Sequence, residues 1–143
     1  MKLQEIFNKA ITHFAQMEKP STSTPCGHDK WPDCAYRGYE GNKCIVGAFI
    51  DDEHYENSFE GKDIITYEPS YDKCIVQPVL NAVVKSMGVE ALAFEEIDLL
   101  FKLQLIHDDS SNGFDIGKHN WYEVVKPYLI VLADNCGLEY NVG

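Results

Sequence analysis

Apolar residues near the start of the chain recur at intervals of three and four positions. A helix would place on one face Leu3, Ile6, Phe7, Ala10, Ile11 and Phe14. The pattern therefore predicts a first helix over residues 3–17, which Pro20 would end. The stretch 20–33 is rich in Ser, Thr and Pro and is predicted to be an exposed loop or insertion.

The segment 34–47 is predicted to be a β-hairpin. Two short runs, 34–37 and 43–47, flank a turn that contains two glycines. If the turn is centred on Tyr39, Cys34 and Cys44 lie opposite each other as free thiols. The apolar run then continues to residue 50 and suits either a short helix or a strand end.

Three further helices are predicted in the second half of the chain, after a connection over residues 56–72 with little regular structure. The first covers residues 75–87 and has Gly88 as its C-terminal cap. The second covers residues 94–106 and carries a wide apolar face. The last begins after Asn120, which with Glu123 forms a capping-box pattern, and is bent by Pro127.

These elements predict an α+β protein. Its 143 residues would form one α-rich domain, 1–143, with about four helices around one core and the short 34–47 hairpin at the edge.

Charge and composition limit the function. Asp and Glu number 23 against 12 Lys and Arg, a formal net charge of -11. Such a charge repels a phosphate backbone, so no nucleic-acid partner is expected. We find no apolar stretch long enough for a membrane span and no signal peptide, so a cytoplasmic protein with no membrane partner is expected. The five cysteines are then expected to be reduced.

One candidate site is a zinc centre. Cys26, His28, Cys34 and Cys44 together supply the three thiols and one imidazole that a tetrahedral site uses. The spacing lacks the Cys-x-x-Cys pair of a zinc knuckle, so packed or free thiols are the favoured interpretation and no cofactor is expected. The acidic segment 51–54 lacks the ligand alternation of a calcium loop and is expected to be solvated.

A second candidate site is a thiol nucleophile. Cys44 could attack, His107 or His119 could act as base, and Asp108 could orient the imidazole. The alternative is that Cys44 packs in the core and that His107 interacts with a helix C-terminus.

A third candidate site is the turn of the predicted hairpin. Arg37 is the sole arginine, and Tyr36, Tyr39 and Glu40 surround it. A guanidinium offers a bidentate fork and can stack on aromatic rings. These four residues are the candidate binding site, although an internal ion pair of Arg37 with an acidic helix end is the favoured role for that residue.

Four segments resemble a family of small uncharacterised proteins encoded by phages and bacteria. The most specific runs from Cys34-Ala35-Tyr36-Arg37-Gly38 to Lys43-Cys44-Ile45-Val46-Gly47, and residues 50–55 follow it. The others are residues 3–7, 103–109 and 136–138. The resemblance implies a phage or prophage accessory protein and implies no mechanism.

The expected function is therefore that of a non-enzymatic binding protein, a phage accessory factor that engages a host protein. Two alternatives stay open. One is a thiol-dependent hydrolase that uses Cys44, His107 and Asp108. The other is a small zinc-stabilised module. Oligomeric state does not follow from the sequence.

Overall fold

The structure is a computed structural model, and it describes residues 3–21, 35–38, 41–60, 65–68, 73–76, 78–111, 114 and 117–140. The described part contains five α-helices, namely α1 (Leu3–Gln16), α2 (Ile45–Ala48), α3 (Pro78–Met87), α4 (Phe94–Ser111) and α5 (Trp121–Cys136). Two 3-10 helices, Asp52–His54 and Asn57–Phe59, follow α2. Two strands, β1 (Ile65–Glu68) and β2 (Lys73–Val76), lie between them and α3.

The four longer helices form where the periodicity and the capping residues predict them. The apolar stripe of α1 is buried, and Gly88 after α3 has a φ of 71°. α5 has Asn120 as its N-cap, whose side-chain oxygen accepts a hydrogen bond from the Glu123 N–H at 3.1 Å. It ends at Gly137, in the left-handed conformation that suits glycine. α4 extends to Ser111, five residues beyond its predicted end.

The predicted α+β class and the predicted edge hairpin at 34–47 are wrong, because the protein is mainly α-helical and Ile45–Ala48 form a helix. The Val46 N–H at the start of α2 donates to Oε1 of Gln104 on α4 at 3.0 Å. A four-residue helix does not persist alone, so its contacts with α1 and α4 stabilise it. The apolar run in the sequence suits a buried helix and a buried strand equally well.

The strand pairing lies elsewhere in the chain. β1 and β2 pair antiparallel, with Ile65 opposite Val76 and Glu68 opposite Lys73. This ladder covers part of the 56–72 connection and the first residues of the helix predicted at 75–87. Pro78 begins α3 instead, a position where the missing N–H of proline costs no helical hydrogen bond.

The core is built mainly from α1, α2, α4 and α5. α1 packs against the other three, and α4 packs against both α2 and α5. The largest fully buried side chains include Trp121, Phe7, Phe14, Phe49, Leu100 and Leu103. Within the described residues, no helix has both the length and the apolar character needed to cross a membrane.

Candidate functional site

Cys44 is the N-cap of α2 and lies inside the core. Its residue is 1% exposed, and its Sγ accepts a hydrogen bond from the Gly47 N–H at 3.4 Å. Burial raises the pKa of the Cys44 thiol far above its ordinary value, and the negative charge of Asp108 raises it further. Hydrogen bonds from Gly47 and Gln104 favour the thiolate, but they do not offset the burial. The thiol is therefore protonated at neutral pH.

His107 is fully buried, and both of its ring nitrogens have partners. The Ser21 N–H donates to Nε2 at 2.9 Å, and Nδ1 lies 2.9 Å from Oδ1 of Asp108. Because Nε2 accepts, the ring proton of the neutral imidazole is on Nδ1 and is donated to Asp108. The Trp121 ring packs edge-on against His107, with the ring centroids 5.6 Å apart.

Gln104 connects the thiol end of this cluster to the imidazole end. It lies one helical turn before Asp108 on α4, and its Nε2 donates to Oδ1 of Asp108 at 2.7 Å. The Asp108 oxygen thus accepts from both Gln104 and His107. The predicted set Cys44, His107 and Asp108 is therefore gathered around the same part of α4.

The geometry suits a structural role for this set better than a nucleophilic role. A general base needs a free acceptor nitrogen within reach of the thiol, whereas Nε2 of His107 already accepts the Ser21 N–H. The buried thiol has a raised pKa, the opposite of an activated nucleophile. His119, the other predicted base, is exposed and its ring packs against Phe114.

Ser21 ties two distant segments to this cluster, and nothing in the sequence marks it. Its hydroxyl donates to the Ala35 carbonyl at 2.6 Å, and the Ala35 N–H donates to the Ser21 carbonyl at 3.0 Å. Positions 21 and 35, at the two ends of the predicted loop, are therefore held side by side.

The imidazole of His13 also has a partner within the chain. Its Nε2 donates to the Lys43 carbonyl at 2.6 Å, and burial lowers the pKa of His13.

Arg37 is held by contacts within the chain. Its Nη1 lies 2.9 Å from Oδ1 of Asp52, and its Nη2 donates to the Ile50 carbonyl at 2.7 Å. The guanidinium carbon lies 5.0 Å from the centroid of the Tyr55 ring, a cation–π contact. The ion pair with an acidic helix end is the role that scarcity of arginine suggested, and the guanidinium stabilises the 3-10 helix Asp52–His54.

Glu60 organises the neighbouring turn. Its two carboxylate oxygens accept from the N–H groups of Tyr36 and Arg37, at 3.0 and 3.1 Å. The Tyr55 hydroxyl donates to the same carboxylate at 2.5 Å, and burial together with this bond raises the pKa of Tyr55 to about 12. Tyr36 is 7% exposed, so its side chain is packed and not presented to a partner. The two other candidate binding residues, Tyr39 and Glu40, lie outside the described residues.

Only one of the four predicted zinc ligands lies within the described residues. Cys26, His28 and Cys34 lie outside the described residues, and Cys44 is the buried cap described above. Elsewhere in the described part, the carboxylates of Asp51 and Glu53 and the imidazole of His54 lie within 4.8 Å of one another. Both carboxylate side chains are exposed, a setting that is common without any metal.

A surface feature on α4 and α5 was not predicted. Every large apolar side chain that is more than about a third exposed in the described part lies on these two helices, namely Phe94, Leu105, Tyr128, Ile130 and Val131. Leu105, Ile106, Val124 and Tyr128 share a cavity of about 390 Å³ between the helices. A second cavity of about 200 Å³ contains Phe94, Leu99, Cys136 and Leu138. The sequence feature that indicates this surface is in α4, where apolar residues occur on all sides of the helix.

Comparison of the chain with protein-family models, with curated proteins and with solved structures finds no match.

Proposed function

We propose that this protein is a non-enzymatic binding protein, an accessory factor of a phage or prophage that engages a host protein. The observation that carries the proposal is the exposed apolar surface of α4 and α5. Apolar side chains that face water in isolation gain free energy when a partner covers them, at about 25 cal/mol per Å². Clustering of such residues on two adjacent helices is typical of an interaction surface.

The interior of the protein supports a binding role over a hydrolytic one. The only fully buried thiol and imidazole in the described part, Cys44 and His107, each have internal partners. A substrate would have to displace the Ser21 N–H to reach the imidazole. These groups lie at the start of α2 and on α4, and their exposure to a substrate would require part of the core to open.

The proposed origin in a phage or prophage rests on the resemblance of residues 34–47 to phage- and bacterium-encoded proteins. The net charge of -11 favours a partner with a basic surface. A host protein with a basic, partly apolar site would satisfy both the charge and the apolar surface of α4 and α5.

The test is capture of host proteins by the immobilised chain. Wild type and Cys44→Ala are compared, after circular dichroism has shown that both are folded. We expect both to retain the same host protein, because the thiol is internal. Capture of nothing by the folded wild type would contradict the proposal.

Two further measurements address the alternatives. Iodoacetamide should modify Cys44 only after unfolding, and fast modification in the folded protein that His107→Gln abolishes would favour the hydrolase. Stoichiometric zinc that is lost in Cys44→Ser would favour the zinc-stabilised module.

A further inference from the structure

α4 and α5 form an antiparallel pair with an apolar cavity at each end. The C-terminal end of α4 meets the N-terminal end of α5 in the cavity that Leu105 shares with Val124 and Tyr128. The N-terminal end of α4 meets the C-terminal end of α5 in the cavity that Phe94 shares with Cys136. We refer to this surface, with its two apolar cavities, as the α4–α5 groove.

The distance between the two apolar ends of the groove matches the length of a short helix. Phe94 and Leu105 are eleven residues apart on α4, which places them on the same face about 16 Å from each other at 1.5 Å per residue. Phe94 is 69% exposed and Leu105 is 42% exposed. On α5, Tyr128 is 58% exposed and lies beside the Leu105 end. A ligand helix of three to four turns would span both ends.

Carboxylates dominate the charge of the groove. Glu95 and Asp98 lie at one cavity and Asp109 lies at the other. The Lys102 ammonium lies between them and forms an ion pair with Asp98 at 2.8 Å. Among the described residues that line the two cavities, Glu95, Asp98 and Asp109 are the charged ones, so an apolar ligand with flanking lysines or arginines would complement the groove at both ends.

We propose, resting on the binding role above, that the α4–α5 groove receives a basic amphipathic helix of the partner protein. The apolar face of that helix inserts at the Phe94 and Leu105 ends, and its cations face Glu95, Asp98 and Asp109. A second copy of this chain fits less well, because two molecules that each carry a formal charge of -11 repel one another.

Ile130 offers a matched control for the adjacent Val131. Both are exposed aliphatic residues of α5, at 38% and 56%. A step of 100° per residue places Val131 about 60° from Tyr128, on the same side of α5, and Ile130 about 160° from Tyr128, on the opposite side of the helix. Serine at either position removes a similar apolar surface, but only Val131→Ser and Tyr128→Ser alter the side that borders the groove.

The experiment measures anisotropy of a labelled fifteen-residue peptide of leucine and lysine with helical periodicity. The same peptide with glutamate in place of lysine is the first control, and a scrambled leucine–lysine peptide is the second. We expect the basic amphipathic peptide to bind wild type at least about tenfold more tightly than either control, a difference that corresponds to about 1.4 kcal/mol. Binding should weaken at higher salt.

The variants locate the binding. Leu105→Ser, Tyr128→Ser and Val131→Ser should each weaken peptide binding by about tenfold, as expected for residues that contact the ligand. Ile130→Ser should change the affinity by less than about twofold, since single exposed side chains outside a contact contribute little. Thermal melts of each variant show whether the fold is retained.

Equal binding of the two leucine–lysine peptides, or equal effects of Tyr128→Ser and Ile130→Ser, would overturn the proposal. A dimer in light scattering that Tyr128→Ser dissociates would assign the groove to a second copy and would also overturn it. If these variants still capture the host protein at wild-type levels, the groove assignment fails while the proposed binding function stands. If folded wild type captures no host protein, the binding function itself fails.

Discussion

Gly47 lies in close contact with the backbone of the 35–38 segment. A Cβ atom at this position would lie 2.3 Å from the carbonyl oxygen of Tyr36, which is backbone and cannot rotate away. Glycine therefore lets α2 lie against the 35–38 segment. The tight fit also explains why Gly47 stands within an otherwise apolar run.

Gly47→Ala is expected to lower the free energy of unfolding by about 1–3 kcal/mol, the usual cost of forcing extra volume into a packed site. Urea unfolding followed by circular dichroism measures it. In an ordinary helix the same change raises stability by about 0.5–1 kcal/mol, so an increase would show that the contact with Tyr36 is not tight.

His13 gives the fold a pH dependence. Burial lowers its pKa below the ordinary value of 6.5, so the unfolded chain binds a proton more readily than the folded one. The stability that this difference provides is fully present above about pH 6.5 and decreases as the pH falls toward the folded pKa.

We therefore expect the melting temperature of wild type to fall between pH 7 and pH 5 by more than that of His13→Gln. Glutamine keeps an N–H that can donate to the Lys43 carbonyl but has no proton to gain. His119→Gln is the control, because His119 is exposed. Parallel curves for wild type and His13→Gln would contradict the assignment.

Arg37 and Cys44 both have structural roles within the chain. Arg37, the only arginine in the sequence, forms an ion pair with Asp52 and a ring contact with Tyr55. For Cys44 the sequence favours a packed thiol over a zinc ligand or a nucleophile, and in the structure Cys44 is a buried helix cap. In both cases the side chain stabilises the segment next to it.

At the scale of elements, α5 is the helix that local sequence specifies best. The Asn120 side chain satisfies the otherwise unpaired N–H of Glu123, and Gly137 accepts the left-handed conformation at the other end. Neither device needs a distant part of the chain, and both are visible in the sequence.

Asn120→Ala should cost about 1 kcal/mol of stability, because it leaves the Glu123 N–H without its side-chain acceptor. Asn135→Ala provides the control: Asn135 is an exposed residue inside the same helix, where alanine has the higher helix propensity. Equal melting temperatures for the two variants would show that the cap contributes nothing.

α2 is the opposite case. Its four residues are too few to be helical alone, and its helical state depends on Cys44, on the side chain of Gln104 and on packing against α1. The strand prediction failed here because an uninterrupted apolar run has no period to distinguish helix from strand.

At the scale of the whole molecule, α4 has two apolar sides. Its inner side carries Leu99, Leu100 and Leu103 and joins the core, while its outer side presents Phe94 and Leu105 to water. Within one molecule, the core covers only the inner side of α4. The second side therefore suits a partner, and this arrangement underlies both proposals.

The sequence by itself determined the positions of α1, α3, α4 and α5, since periodicity and capping act over one or two helical turns. It also located the buried stripe of α1, because burial there follows the same periodicity. Only the tertiary structure decided that 45–48 is helical, that His107 accepts from Ser21 and that Arg37 pairs with Asp52. The contacts behind these three features join residues that are far apart in the sequence, Arg37 with Asp52, Ser21 with His107 and Val46 with Gln104. No local pattern encodes which distant groups will meet.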